Sequence, residues 1–597
     1  MLRLKFSRRL ALGSLAMLFA AACGQSTNKS TYESAYDRAP ETPHRAEQSL
    51  PTMQTEAAPG NELIKADLII SGGPIYTGTY DTPPPEAVAV IDGRIAFVGS
   101  SNDALAMSGT STKIIDLDGA ALYPGFVDGH AHLYGIGERE LTLNLEGTAS
   151  VAELVSRVGA AVSALAPGEV LVGSGWIETG WPEKRFPTRE DIDPVSGDNP
   201  VILQRADGHA LLANTAALRA NNITQDTPNP FGGHIVKDAN GVPNGMLIDN
   251  AMNLVSSLIE TPTKQRAKEG LIVGGNVYAA YGWTGVHNMF VNPEYPAYMS
   301  ELSETGELGI RVYNAIEVAG LEALAQITPV LSENGRIITR AVKMFADGAL
   351  GSRGAALSKP YSDAPDTDGL LLMNEATALQ AFQTAAKNGI QIATHAIGDR
   401  GNRLVLNWYE KTFASNDING ADLRWRIEHS QVLHKDDIPR FSELGVIASM
   451  QPSHAIGDLY FAPARLGLQR LDGAYAWRSI IDSGALIVGG SDAPVERGDP
   501  RIEFYAAIAR KGLDGYSDEN WRRGQAVTRK EALKMFTLWP AYASFQEDDL
   551  GTIEVGKKAD FTAFSVDFMT APPEQILEAE TILTMVDGDI IYRAKND

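Results

Sequence analysis

The stretch GFVDGHAHLYG, residues 125–135, places His130 and His132 two apart directly after an apolar run. Positions i and i+2 of an extended chain face the same side, so both imidazoles point into one space. Further groups able to bind a metal or move a proton stand at the ends of other apolar runs: Lys343 in VKMFADG, His395 in THAIGD, His429 in RIEHSQ and Asp492 in GGSDAPVE. Imidazole and carboxylate are the donors a hydrolytic divalent ion takes, and such an ion lowers the pKa of bound water toward ~7. A nearby carboxylate can then accept the proton. Taken singly, each residue also has a plainer reading. A histidine can be a satisfied core residue, Lys343 can pair with Asp347, and Asp492 can cap a helix. Their recurrence at matching positions of successive units favours one shared site.

Those units have a regular form. A helical stretch ends in Gly and a β-branched run follows, as in YGWTGVHN, ELGIRVYNAI, NGIQIATH, ELGVIASMQ and SGALIVGGSD. Gly supplies a left-handed helix cap, and a continuous Val/Ile run reads as a buried parallel strand. Eight strands are expected, at 121–128, 283–288, 309–316, 338–345, 389–395, 424–429, 445–450 and 485–491. This pattern predicts an α/β fold, a (β/α)8 TIM barrel, with its chemistry at the C-terminal strand ends. The interval from about 140 to 280 is too long for one crossover and carries its own strands, EVLVGSGW and PVILQRA. It is expected to be an insertion after barrel strand 1 that covers the mouth. Both ends of the body are β-rich with Asp-Gly turns, and IDGRIAFVG resembles VDGDIIYRA. A composite β-sandwich from 63–122 and 545–597 is therefore expected around a barrel domain at 123–544.

The N-terminus reads as an export signal. Arg3, Lys5, Arg8 and Arg9 precede an apolar Leu10–Ala22 segment too short to span a bilayer. Cys23, the single cysteine of the chain, follows three alanines as in a lipoprotein signal, although a buried structural cysteine is the usual reading of a lone Cys. Residues 1–23 are thus expected to be a lipoprotein-type signal peptide and 24–62 a disordered linker. That implies an exported protein of a bacterial cell envelope, facing the periplasm and anchored through lipid at Cys23. With one cysteine no internal disulfide can form. A net charge of −23 argues against nucleic-acid binding, which needs a basic footprint.

Taken in order, GFVDGHAH, VKMFADGALGSRGAAL, THAIGDRGN, RIEHSQVL, ASMQPSHA and GGSDAPVE resemble the motifs of the amidohydrolase superfamily. The resemblance is to its YtcJ-like branch, which includes N-substituted formamide deformylases, and it covers about residues 63 to 594. It implies metal binding through His130, His132, His395 and His429, with Asp492 as ligand and general base. One or two divalent ions of zinc type are implied, and Lys343 matches a lysine that many members carboxylate to bridge two metals. The branch favours an acidic residue where GVHNM has Asn288, a departure that would alter pocket polarity.

The implied reaction is hydrolysis of a C–N bond in a small molecule (an amide, N-formyl or cyclic amide) through a metal-bound hydroxide, with Asp492 as base and then acid. A one-metal deaminase or a phosphotriesterase-like hydrolase remains an alternative, as does a non-catalytic binding lipoprotein. His209 in RADGHALLAN is a candidate for hydrogen bonding the oxyanion. Trp176, Trp181, Arg353, Gln451 and His454 are candidates for facing the substrate. For the tryptophans the alternative is packing within the insertion, and for Arg353 an ion pair with Asp347.

Overall fold

The computed structural model describes residues 65–79, 84–178, 180–259 and 261–595. The expected signal peptide with Cys23, and the expected linker at 24–62, lie outside the described residues. Among the described residues no helix is long and apolar enough to cross a membrane.

Eight parallel strands form the central sheet: β1 (Phe126–Ala131), β2 (Trp283–Val291), β3 (Arg311–Glu317), β4 (Ile337–Phe345), β5 (Gln391–Ala396), β6 (Arg426–His429), β7 (Ile447–Met450) and β8 (Ile487–Gly489). Each pairs with the next in chain order, as right-handed helix–strand repeats require. Gly282 ends the helix Lys264–Tyr281 with φ of +106°, the left-handed cap expected before β2. Between β8 and β1 the ring is closed by backbone bonds just beyond the strands. Asp492 N donates to His130 O at 2.7 Å, and His132 N donates to Ala493 O at 2.8 Å. Glycine is required here, because a Cβ on Gly129 would meet Val488 at 2.2 Å and one on Gly490 would meet His130 N at 2.4 Å.

The first expected strand, 121–128, divides in two. Ala121–Pro124 pairs antiparallel with Phe561–Phe564, and the barrel strand begins only at Phe126. Two hydrophobic periods meet at Pro124–Gly125, and sequence continuity alone could not separate them. Four N-terminal strands make one small sheet; Ala121–Pro124 and three C-terminal strands make a second. Leu68, Val88 and Ile115 share one core with Phe561, Leu583 and Met585, so the two ends of the body bury each other's apolar faces.

The interval between β1 and β2 contains a six-stranded mixed sheet. Val201 and Leu203 on Val201–Arg205 pack on one face, and Ile202 packs on the other, as the two-residue period of a strand dictates.

Candidate metal centre and pocket

The C-terminal ends of β1, β5 and β6, and the turn after β8, converge. His130 Nε2 lies 3.3 Å from Asp492 Oδ1, and His132 Nε2 lies 3.0 Å from the same oxygen. On the other side of that carboxylate, His429 Nδ1 and His454 Nε2 lie 3.9 and 3.7 Å from Oδ2. The His395 ring is 4.4 Å from that of His429. Lys343 Nζ lies 3.3 Å from His130 Nε2. All these groups except the half-buried His132 are buried.

Two of the imidazoles are held from behind. His130 Nδ1 lies 2.5 Å from Glu428 Oε2, and His132 Nδ1 lies 2.9 Å from Met289 O. With Nδ1 engaged, each ring turns Nε2 toward Asp492, as in carboxylate–histidine–metal arrangements. Backbone strain marks the same place. His429 has φ of +74° and Asp492 φ of +62°, in the left-handed region that side chains other than glycine rarely adopt. Such a conformation costs about 1–2 kcal/mol. Here it aims both side chains at one another across the barrel mouth.

Burial lowers the pKa of His132, lowers those of His395 and His429 well below the usual histidine value, and lowers that of His454. Neutral imidazole is the ligand form. Burial also opposes charge on Asp492, but His130, His132 and His429 outweigh it and hold the carboxyl well below the usual range. Lys343 is pushed down to about 8 by burial, with Glu428 and Asp492 only partly offsetting it. Four neutral imidazoles, a carboxylate held ionised and a poorly solvated lysine are a donor set that fits a divalent ion. Among the described residues, ligand atoms of His130–His132–Asp492 and of His429–His454–Asp492 lie within 4.8 Å of one another, His395 and Lys343 standing outside both groups.

These groups adjoin a cavity of about 590 Å3 whose walls come from the barrel loops and the insertion. His209 belongs to the insertion wall. Its Nδ1 lies 2.7 Å from Asp249 Oδ1, and its ring is 4.9 Å from His395. Burial lowers the His209 pKa, but Asp249 outweighs it and the net shift is upward.

Several expected contacts do not form. Trp176 donates from Nε1 to Leu203 O and Trp181 to Thr148 O, and both are packed in the core of the insertion rather than on the cavity wall. Arg353 pairs with Asp363 at 2.9 Å, not with substrate space or with Asp347. Asp347 instead accepts the backbone N–H of Ala356, Ile397 and Gly398, so it does not neutralise Lys343. Burial pushes its carboxyl up to about 7 against those donors. Gln451 places Oε1 at 2.9 Å from His429 Nδ1 and positions that ring instead of facing the cavity. Asn288 accepts from Leu133 N, at the start of the helix after β1, and donates to Asn314 Oδ1 on β3, and it does not line the cavity.

Sequence reasoning passed over Glu428, one residue before a predicted ligand, because a strand sends neighbouring side chains to opposite faces. Its face is the barrel interior. There Arg426 donates to Glu428 Oε2 at 3.0 Å, to Gly129 O and Ser449 Oγ at 2.7 Å, and lies 2.7 Å from His287 Nδ1. The acid in RIEH was a usable signal, since a charge within an otherwise buried strand requires a partner. Asp249, which holds His209, carried no such signal.

Residues 113–592 match the amidohydrolase family profile. The chain is 34% identical to the putative amidohydrolase YtcJ of Bacillus subtilis over 87% of this chain and 98% of that protein. It is 28% identical to the N-substituted formamide deformylase of Arthrobacter pascens over 88% of this chain and 98% of that one. Among solved structures, an uncharacterized metal-dependent hydrolase from Pyrococcus horikoshii is similar with a TM-score of 0.68 and 27% identity, over 85% of this chain and 99% of that one.

Proposed function

The chain belongs to the amidohydrolase family, and from that premise we propose that it hydrolyses a C–N bond in a small amide. One observation carries the reading: the Nε2 atoms of His130 and His132 meet a single oxygen of Asp492 at the floor of the cavity. His130, His132, His395, His429 and Asp492 would hold one or two divalent ions, zinc by donor type, and Lys343 as its carbamate would add oxygen donors. Burial favours the free amine of Lys343, the form that adds to carbon dioxide with loss of a proton. The ion supplies Lewis acidity toward a carbonyl oxygen and toward water.

The remaining work falls to this chain's own groups. Asp492 takes a proton from the attacking water at a carboxylate oxygen and delivers it to the leaving nitrogen, giving a carboxylic acid and an amine. His209, fixed by Asp249 at Nδ1 and held toward its protonated form, offers Nε2–H to the carbonyl oxygen as the carbonyl carbon becomes tetrahedral. Glu428 and Gln451 keep His130 and His429 in orientation.

The test is turnover of a panel of N-formyl amines, N-acyl amino acids and cyclic amides by zinc-loaded protein, alongside Asp492→Asn. The proposal expects cleavage of at least one class and a loss in kcat of about 10²–10⁴-fold in the variant. Turnover undiminished in Asp492→Asn refutes the role of that residue, and a metal-replete protein inert toward the whole panel refutes amide hydrolysis. For the N-terminus we propose export and lipidation at Cys23, on the charge, apolar length and small residues of residues 1–23.

A further inference from the structure

The cavity beside the metal centre has an uneven charge. Its walls carry Glu146, Asp207, Asp458, Glu496, Glu503 and Asp514 besides Asp492, against two arginines. Both arginines are already engaged. Arg205 donates to Glu178 at 2.8 Å and pairs with Asp207, while Arg497 donates to Glu146 at 3.1 Å. Tyr460 donates to Asp514, and Tyr475 donates to Asp458. Among the described residues Glu496 pairs with no lysine or arginine, and its side chain, 32% exposed, faces the cavity.

Two buried side chains aimed into the same cavity are also incompletely partnered. His454, 7% exposed, has Nδ1 2.9 Å from Gln431 Nε2, and its Nε2 makes no hydrogen bond. That Nε2 sits between Asp492 Oδ2 at 3.7 Å and Glu496 Oε1 at 3.8 Å. Glu503, 1% exposed, accepts the Ser453 N–H at one oxygen, and its Oε1 has no partner. With Nδ1 accepting from Gln431, His454 Nε2 carries the ring proton; the orphaned Glu503 oxygen and the unopposed carboxylates are the groups that a ligand cation satisfies. Ile456, Val495, Ile502 and Phe461 on the same walls offer apolar surface for a carbon spacer.

We propose that the substrate is a cationic amide, with an ammonium or amidinium group seated against Glu496 and Asp458 while its amide lies at Asp492. The inference rests on the amide-hydrolase reading above. Because His454 Nε2 lies 3.7 Å from Asp492 Oδ2 and 3.8 Å from Glu496 Oε1, the spacer between cation and amide is short, on the order of three carbons at ~1.5 Å per bond. A cation there offsets the mutual repulsion of Glu496, Asp458 and Asp492, and neutral analogues of equal size do not.

The experiment measures binding, so that it stands apart from turnover. N-(3-aminopropyl)methanesulfonamide and its neutral isostere N-butylmethanesulfonamide resist hydrolysis, and each is titrated calorimetrically into zinc-loaded protein at low and high salt. The expected result is roughly tenfold or greater preference for the cation, weakening with salt, and a collapse of that preference toward unity in Glu496→Gln. Should Glu496→Gln fail to fold, Asp458→Asn serves as the second variant and should reduce the preference at least severalfold. Equal affinity for the two ligands, or a preference unchanged in a folded variant, overturns the proposal. A charge preference without turnover of any amide would sink the amide-hydrolase reading alone, and turnover without charge preference would sink this one alone.

Discussion

Replacing Glu428 separates the part the barrel interior plays in stability from the part it plays at the metal centre. The carboxylate is wholly buried, lies 2.8 Å from Arg426 Nε, and holds His130 Nδ1 at 2.5 Å. Removing one member of a buried ion pair costs about 3–5 kcal/mol, because the other charge stays behind. Arg426 keeps Gly129 O and Ser449 Oγ as acceptors, so Glu428→Gln falls near the lower end, at about 3 kcal/mol. The second effect is on His130. Loss of a carboxylate behind a ligating imidazole lowers metal affinity by about 10–100-fold. Glutamine retains an acceptor for Nδ1–H, so Glu428→Gln belongs at the tenfold end and Glu428→Ala at the hundredfold end. Urea unfolding with chelator present reports the first quantity, and zinc competition against a chelating dye reports the second. Zinc affinity equal to wild type in both variants, with stability within about 0.5 kcal/mol, would refute the idea that Glu428 supports His130.

Two other predictions concern Lys343 and the N-terminus. Lys343 has a folded pKa of about 8, below its usual 10.5, so the unfolded chain binds the extra proton between those values. Its penalty is therefore fully present below pH 8 and fades as pH rises toward 10.5, with an upper limit of about 3 kcal/mol. Metal-free Lys343→Met should be more stable than wild type at pH 7 by about 1–3 kcal/mol in urea titrations, with the gap narrowing toward pH 10, while activity is lost; a less stable variant contradicts this account. Metabolic labelling with a fatty acid should mark the expressed full chain and fail to mark Cys23→Ala, and equal labelling of both disproves lipidation at that residue.

Most of the barrel was readable because its code is local. Five helix–Gly–strand units and two further apolar runs placed seven of the eight strands within a few residues of where they lie, and the site residues ending several runs marked the mouth. The first strand was misplaced because Ala121–Pro124 and Phe126–Ala131 form one continuous apolar stretch. Its two halves differ only in their partners, and those partners are more than 400 and about 150 residues away. Trp176 and Trp181 stay open in the sequence between pocket wall and insertion core, because size and apolarity do not tell a cavity face from a core face. Only the indole N–H bonds to Leu203 and Thr148 decide it.

The amino-acid sequence by itself determined which groups stand at the ends of the barrel strands, since strand period and turn residues act over a few positions. It therefore determined the donor types and the class of chemistry. Tertiary structure alone decided which groups touch. Glu428 rather than Met289 stands behind His130, Asp347 is occupied by backbone N–H groups instead of by Lys343, and Glu496 is left facing the cavity without a lysine or arginine partner among the described residues. These outcomes depend on closing the barrel at Gly129 and Gly490 and on laying the insertion over its mouth. The left-handed backbone at His429 and Asp492 has the same origin, because surrounding contacts, not local preference, hold a side chain there.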